Sequence, residues 1–119
     1  MIINKLWQFI VNFLKSYFVV IALILIFLLS SYSFFQAGFF HVHDFTHGAR
    51  IAEMARALDE GQFPVRWSAN FGYGFGMPLF NFYAPLPYFI GGLFFKMGFD
   101  VITSIKLLCL FINLITIIG

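Results

Sequence analysis

Charge is scarce in this sequence. Seven Lys or Arg and five Asp or Glu among 119 residues leave it 10% charged, where soluble domains carry about 25%. So few ions cannot cover a water-exposed surface, which excludes an ordinary soluble domain. The net charge of +2 is small and the basic residues are scattered, without a basic tract interleaved with aromatics, so no nucleic acid is expected as a partner. Cysteine is scarcer still. Cys109 stands alone in an apolar run, which rules out a disulfide framework and a cysteine-based zinc motif and leaves it as a small hydrophobe.

Hydrophobic residues make up 61% of the chain, 19 of them Phe, with a mean hydropathy of +0.92. The composition predicts an all-α integral membrane protein. Residues 16–40 hold no formal charge, and about 20 residues of helix cross a hydrocarbon core of ~30 Å. A signal peptide is the competing reading, but its apolar region runs only about 7–15 residues, so an uncleaved first span is expected. Before it, Ile3, Leu6, Trp7, Ile10 and Leu14 share one helical face, which predicts an interfacial amphipathic helix over 1–15. A second span is expected over 100–119, capped by Asp100 and apolar except for Lys106.

The residues between, 41–99, form a long loop of different character. A helix is expected over 45–60, stopped by Gly61 and Pro64. Ile51, Met54, Ala55 and Leu58 would share its apolar face with His47, and Glu53, Arg56 and Glu60 would form a charged back. The stretch GQFPVRWSANFGYGFGMPLFNFYAPLP reads as loop with a short extended piece. Residues 87–97 would form a helix of ~16 Å, too short to span and therefore interfacial or re-entrant. Gly72, Gly74 and Gly76 lack the Lys-Ser/Thr of a phosphate loop. They suit a tight loop returning to the membrane, with Tyr73, Phe75, Phe82, Tyr83 and Tyr88 as interfacial anchors.

Titratable groups concentrate in HVHDFTHGAR, residues 41–50, against the end of the first span. Asp44 is placed to act as a general base, and equally to cap the helix that follows. His43 and His47, at i and i+4 with an acid between them, echo the HExxH zinc helix, and His41 offers a third ligand. Arg50, Arg56 and Arg66 match phosphate oxygens. Against that, Arg50–Glu53, Arg56–Asp59 and Arg56–Glu60 have the spacing of ordinary helical ion pairs.

The order of these pieces is informative. A first span ending in HVHD is followed by THGARIAEMARAL, GQFPVRW, GYGFGMPLFNFYAPLPYF and a second span. That order resembles the N-terminal portion of bacterial polytopic membrane proteins catalogued as 6-pyruvoyl-tetrahydropterin-synthase-related, of the C-type (GT-C) glycosyltransferase superfamily. The resemblance implies two transmembrane helices joined by a long external loop with juxtamembrane helices, in the N-terminal part of a longer chain with further transmembrane segments. It implies sugar transfer from a polyprenyl-phosphate donor at the outer face of the bacterial inner (plasma) membrane, the lipid bilayer itself being a partner. Asp44 matches the first-loop carboxylate, the base or acceptor-positioning group. His43, His47, Arg50, Glu53, Arg66 and Trp67 belong to the same pattern, and Tyr73 and Tyr83 join them as candidate substrate contacts. Arg50 and Arg66 are candidates for the donor phosphate, whose departing charge arginine or a divalent cation would neutralise. Lys5 and Lys15 favour a cytoplasmic N-terminus and an external loop. Two other readings stand beside this one: a zinc-dependent membrane enzyme built on His41, His43, Asp44 and His47, and a non-catalytic membrane scaffold with a binding loop of Tyr73, Phe82 and Tyr83.

Overall fold

A helix without glycine or proline has no built-in stop, and residues 2–31 contain neither. In the computed structural model, which describes residues 2–38, 44 and 46–118, α1 runs unbroken over Ile2–Ser31, ~45 Å at 1.5 Å per residue. The segment read as an amphipathic helix over 1–15 thus runs straight into the segment read as the first span, 16–40. The helix instead tightens into a 3₁₀ turn, Tyr32–Phe35, and bends through residues 36–38, where Gly38 takes a φ of 82°. Side chains of residues 4–21 are exposed apart from half-buried Val11. This bare half of α1 gives the molecule its long dimension of 79 Å against 29 and 25 Å across.

Four further helices complete an all-helical chain, with no named strand among the described residues: α2, His47–Asp59; the single-turn α3, Leu79–Phe82; α4, Pro85–Lys96; and α5, Val101–Ile118. The first and last long helices, α1 with its 3₁₀ extension and α5, are long and apolar enough to cross a membrane. They run antiparallel. Lys106 reaches the Gln36 carbonyl, Asn113 meets Ser30 and Ser31, and Leu114 and Ile117 lie beside Leu23 and Ile24. Rising numbers on one helix pair with falling numbers on the other, so residues 44–100 gather at one end of the pair.

Packing there depends on small residues. α2 and α4 run parallel and in step: Ile51 meets Gly91, Met54 meets Gly92, and Asp59 pairs with Lys96 at 2.6 Å. A Cβ at Gly91 would fall 2.7 Å from Ile51 Cδ1, and one at Gly48 would fall 2.9 Å from Val101 Cγ1 of α5. Glycine lets the three helices close on a shared core of Ile51, Met54, Ala57, Tyr88, Ile105 and Leu108, joined by Val65, Leu79 and Phe80. Burying a side chain of this size contributes about 1.5–3 kcal/mol.

α2 ends as its sequence demands. Gly61, at a φ of 80°, permits the Gln62 N–H to bond the Ala57 carbonyl and its own N–H to bond the Leu58 carbonyl, a Schellman stop. The loop beyond is held by side chains. Gln62 Oε1 accepts from the backbone N–H groups of Arg66 and Trp67. Ser68 and Met77 exchange two backbone bonds of 2.9 Å, the expected short extended piece. Trp67 lies over Gly76, where a Cβ would come within 2.6 Å of its Nε1.

Glu53 anchors this loop, and its position corrects the expected charged back of α2. It is 6% exposed and accepts from Ser68 Oγ at 2.9 Å and from both the backbone and side-chain amides of Asn70. Arg56 completes the network at 3.2 Å and also pairs with Glu60. The alternative partner Asp59 bonds Lys96 instead. At Glu53 the face opposite Ile51 is covered by the returning loop, which periodicity alone does not reveal, while Ala49 and Glu60 on the same face stay exposed.

Candidate functional site

Asp44 lies outside α2, which begins at His47 behind Thr46. The expected helix start at 45 is thus two residues early, and Asp44 is not the cap residue. It does a related job: Oδ1 accepts the Thr46 backbone N–H at 2.8 Å and the Thr46 hydroxyl at 2.7 Å. Its other oxygen, Oδ2, pairs with Arg50 Nη2 at 2.9 Å. The two bonds from Thr46, with the Arg50 and His47 charges behind them, hold the carboxyl down to about 2.

Arg50 is the hub. It is 7% exposed and bonds Asp44 rather than Glu53, so the helical ion pair suggested by spacing does not form. Its Nη1 donates to the Tyr88 hydroxyl at 3.1 Å, and its guanidinium lies 4.2 Å from the centre of the Tyr83 ring, a cation–π contact. Burial pushes Arg50 towards the neutral form, but the Tyr88 bond and the neighbouring Asp44 outweigh it and raise its pKa. One donor, Nε, is buried without a partner among the described residues. His47 Nδ1 lies 3.0 Å from the same Tyr88 hydroxyl, so Tyr88 bridges the first turn of α2 to the first turn of α4.

Tyr88 is the residue the sequence reading misplaced. Expected as an exposed interfacial anchor, it is 7% exposed and part of the core. A buried tyrosine needs a hydroxyl partner, and two polar residues one helical turn apart on α2 supply it. The signal was its place three residues before the Gly91–Gly92 pair, on the face where α4 approaches α2.

Four of the expected site residues thus converge: Asp44, His47, Arg50 and Tyr83. Glu53 belongs to the loop anchor. Arg66 sits apart, bonding Asn81 Oδ1 at 3.0 Å, and Trp67 packs on Gly76. Tyr73 stands fully exposed at the tip of the glycine loop, at a positive φ of 58°. Phe75 and Phe82 are exposed as expected of anchors. His41 and His43 lie outside the described residues.

Two observations bear on metal ions. α2 begins at His47, and the His41 and His43 positions of the zinc reading fall outside the described residues. Among the described residues no three His, Cys, Asp or Glu side chains come together, and Asp44 is paired with Arg50.

Beside the cluster lies a cavity of about 450 Å³, within the range of small-molecule sites. Ile51, Pro87, Leu108 and Ile112 form apolar walls, and His47 and Tyr88 form a polar corner. Arg50 does not line the cavity but is joined to its polar corner through the Tyr88 hydroxyl. Compared with protein-family models, characterised proteins and solved structures, the chain matches none.

Proposed function

We propose that this chain is part of a GT-C-like membrane glycosyltransferase that moves a sugar from a polyprenyl-phosphate donor to an acceptor. The observation that carries the reading is the Asp44–Arg50–Tyr88 cluster, joined through the Tyr88 hydroxyl to the polar corner of an apolar cavity, whose far wall is a helix long and apolar enough to span. An amphiphile with a hydrocarbon tail and a phosphate head matches that pairing of surfaces. The tail takes the cavity, and the phosphate takes the Arg50 fork, which suits its oxygens. In this reading the loop faces the outside of a bacterial plasma membrane, and further spans of a longer protein complete the site.

The chemistry asked of these residues is modest. The acceptor hydroxyl oxygen bonds to the anomeric carbon, the bond from that carbon to the phosphate oxygen breaks, and the polyprenyl phosphate leaves with the electron pair. Arg50 stabilises the charge that develops there. Asp44, held at about 2, has little proton affinity while Arg50 and Thr46 occupy its oxygens. It therefore orients the acceptor hydroxyl first, and takes the hydroxyl proton as the new bond forms, once substrate displaces the Thr46 bonds that do most to hold it down.

The test is transfer from a radiolabelled polyprenyl-phosphate sugar in membranes carrying the full-length protein. Asp44→Asn should lower turnover by ~10²-fold or more, the scale of general acid–base catalysis, with insertion unchanged. Near-normal turnover would remove Asp44 from the mechanism.

A further inference from the structure

The pairings along α5 serve as a depth ruler. Lys106 Nζ donates to the Gln36 carbonyl at 2.5 Å, which sets these two residues at one level. On α1 the preceding charged residue is Lys15, 21 positions before Gln36, or ~32 Å of helix. That is close to the ~30 Å of a hydrocarbon core. With α1 and α5 read as spans, Lys15 marks one edge of the apolar slab and the Gln36–Lys106 pair marks the other.

α4 reaches below that second edge. A Cβ on Gly91 would lie 3.4 Å from Leu108 Cδ2, so the middle of α4 sits at Leu108. Going back towards its start, Pro87 and Tyr88 line the same cavity as Cys109 and Ile112. These α5 residues lie three and six positions past Lys106, ~5 and ~9 Å inside the edge. The side chains that point away from the protein here are apolar and bare: Phe82 is 80% exposed and Leu86 66%. The backbone fits the same medium. The first turn of a helix leaves N–H groups unpaired, which is costly in lipid. Pro85 and Pro87 occupy that turn of α4 and carry no N–H at all.

We propose that residues 82–87 form a re-entrant wedge, inserted beside α5 into the acyl region of one leaflet, with Phe82 and Leu86 against lipid. The Tyr88 corner of the cavity then lies just inside the membrane surface. A lipid-tailed molecule reaches it sideways, without leaving the bilayer. The wedge depends on α1 and α5 crossing a membrane and is independent of what the site catalyses.

Nitroxide labels measure this directly. The chain carrying Cys109→Ser is labelled at Phe82→Cys or Leu86→Cys, reconstituted into phosphatidylcholine vesicles, and probed for collisions with oxygen and with a water-soluble nickel chelate. Leu25→Cys on α1 and Asp59→Cys on α2 serve as lipid and water references. The wedge predicts that positions 82 and 86 follow Leu25, oxygen-accessible and shielded from nickel, while position 59 follows water. Nickel access at 82 and 86 with Leu25 still in lipid overturns the wedge alone. Shielding from both reagents overturns it in favour of a covering polypeptide segment. Nickel access at Leu25 overturns the spans and the wedge together.

Discussion

Exchanging volume between Gly91 and Ile51 tests whether α2 and α4 meet as closely as described. In Gly91→Ala the new methyl would lie 2.7 Å from Ile51 Cδ1, 2.9 Å from Ile51 Cγ1 and 3.4 Å from Leu108 Cδ2, against an optimum of ~3.5–4.0 Å between carbons. Ile51 is fully buried and cannot swing aside into solvent. Overpacking of this kind costs about 1–3 kcal/mol. Alanine's better helix propensity returns about 1 kcal/mol, so the single variant should lose roughly 0–2 kcal/mol. Ile51→Ala deletes both clashing atoms and should cost about 2–5 kcal/mol alone. In the double variant the alanine methyl at 91 no longer overlaps anything at 51 and fills part of the space left there. Its loss of stability should be smaller than the sum of the singles by ~1–3 kcal/mol. Denaturant unfolding in detergent, followed by intrinsic tryptophan fluorescence, supplies the four stabilities. Additivity within about 0.5 kcal/mol would refute the contact.

Other expectations concern the polar cluster and the loop anchor. Arg50→Lys keeps the charge but loses the fork that spans Asp44 and Tyr88, and transfer from the polyprenyl-phosphate donor should fall at least ~10-fold; unchanged turnover would remove the fork from the site. Tyr88→Phe deletes the hydroxyl shared by Arg50 and His47 in a buried position and should cost about 1–3 kcal/mol in the same unfolding assay. Glu53 gives a pH signature. Burial raises its pKa, but the bonds from Arg56, Asn70 and Ser68 outweigh this and bring it to about 2 from 4.5. A depressed carboxylate stabilises the fold above its unfolded pKa, and that contribution fades as the pH falls from about 4.5 towards 2. Thermal unfolding across this window should show a shallower acid loss in Glu53→Gln than in the parent, and equal slopes would contradict the anchor.

The helices themselves were legible because their signals are local. Period, caps and glycine stops predicted α5 at its observed bounds and α2 to within two residues at its start. For α4 the expected 87–97 left out Pro85 and Leu86, because a proline at the first turn opens a helix rather than preceding it. In α1, Lys15 and the asparagines mark a change of polarity, and the helix passes through it without breaking. In the site, Asp44, His47 and Arg50 were visible as a dense polar group next to a span. Their partners were not. Tyr88 lies 38 positions from Arg50, and Ser68 and Asn70 lie 15 and 17 from Glu53. Side chains from separate elements meet only after packing, and a helical wheel drawn for α2 alone assigns Glu53 to solvent.

The Ser30–Ser31–Asn113 contact carries a consequence for the order of assembly. Ser30 Oγ donates to the Phe27 carbonyl of its own helix at 3.1 Å, so, with α1 and α5 read as spans, this end of α1 partly satisfies itself in lipid while synthesis continues. Asn113 has no such local bond here. Its amide donates at 2.8 and 2.7 Å to hydroxyls 83 and 82 positions upstream. α1 can therefore insert and wait, whereas α5 enters with a debt of unpaired donors that only α1 settles. Such bonds between membrane helices are worth about 0.6–2 kcal/mol, enough to bias which face of α5 turns inward. A chain delivered from its N-terminus thus acquires the register of this helix pair only when α5 arrives.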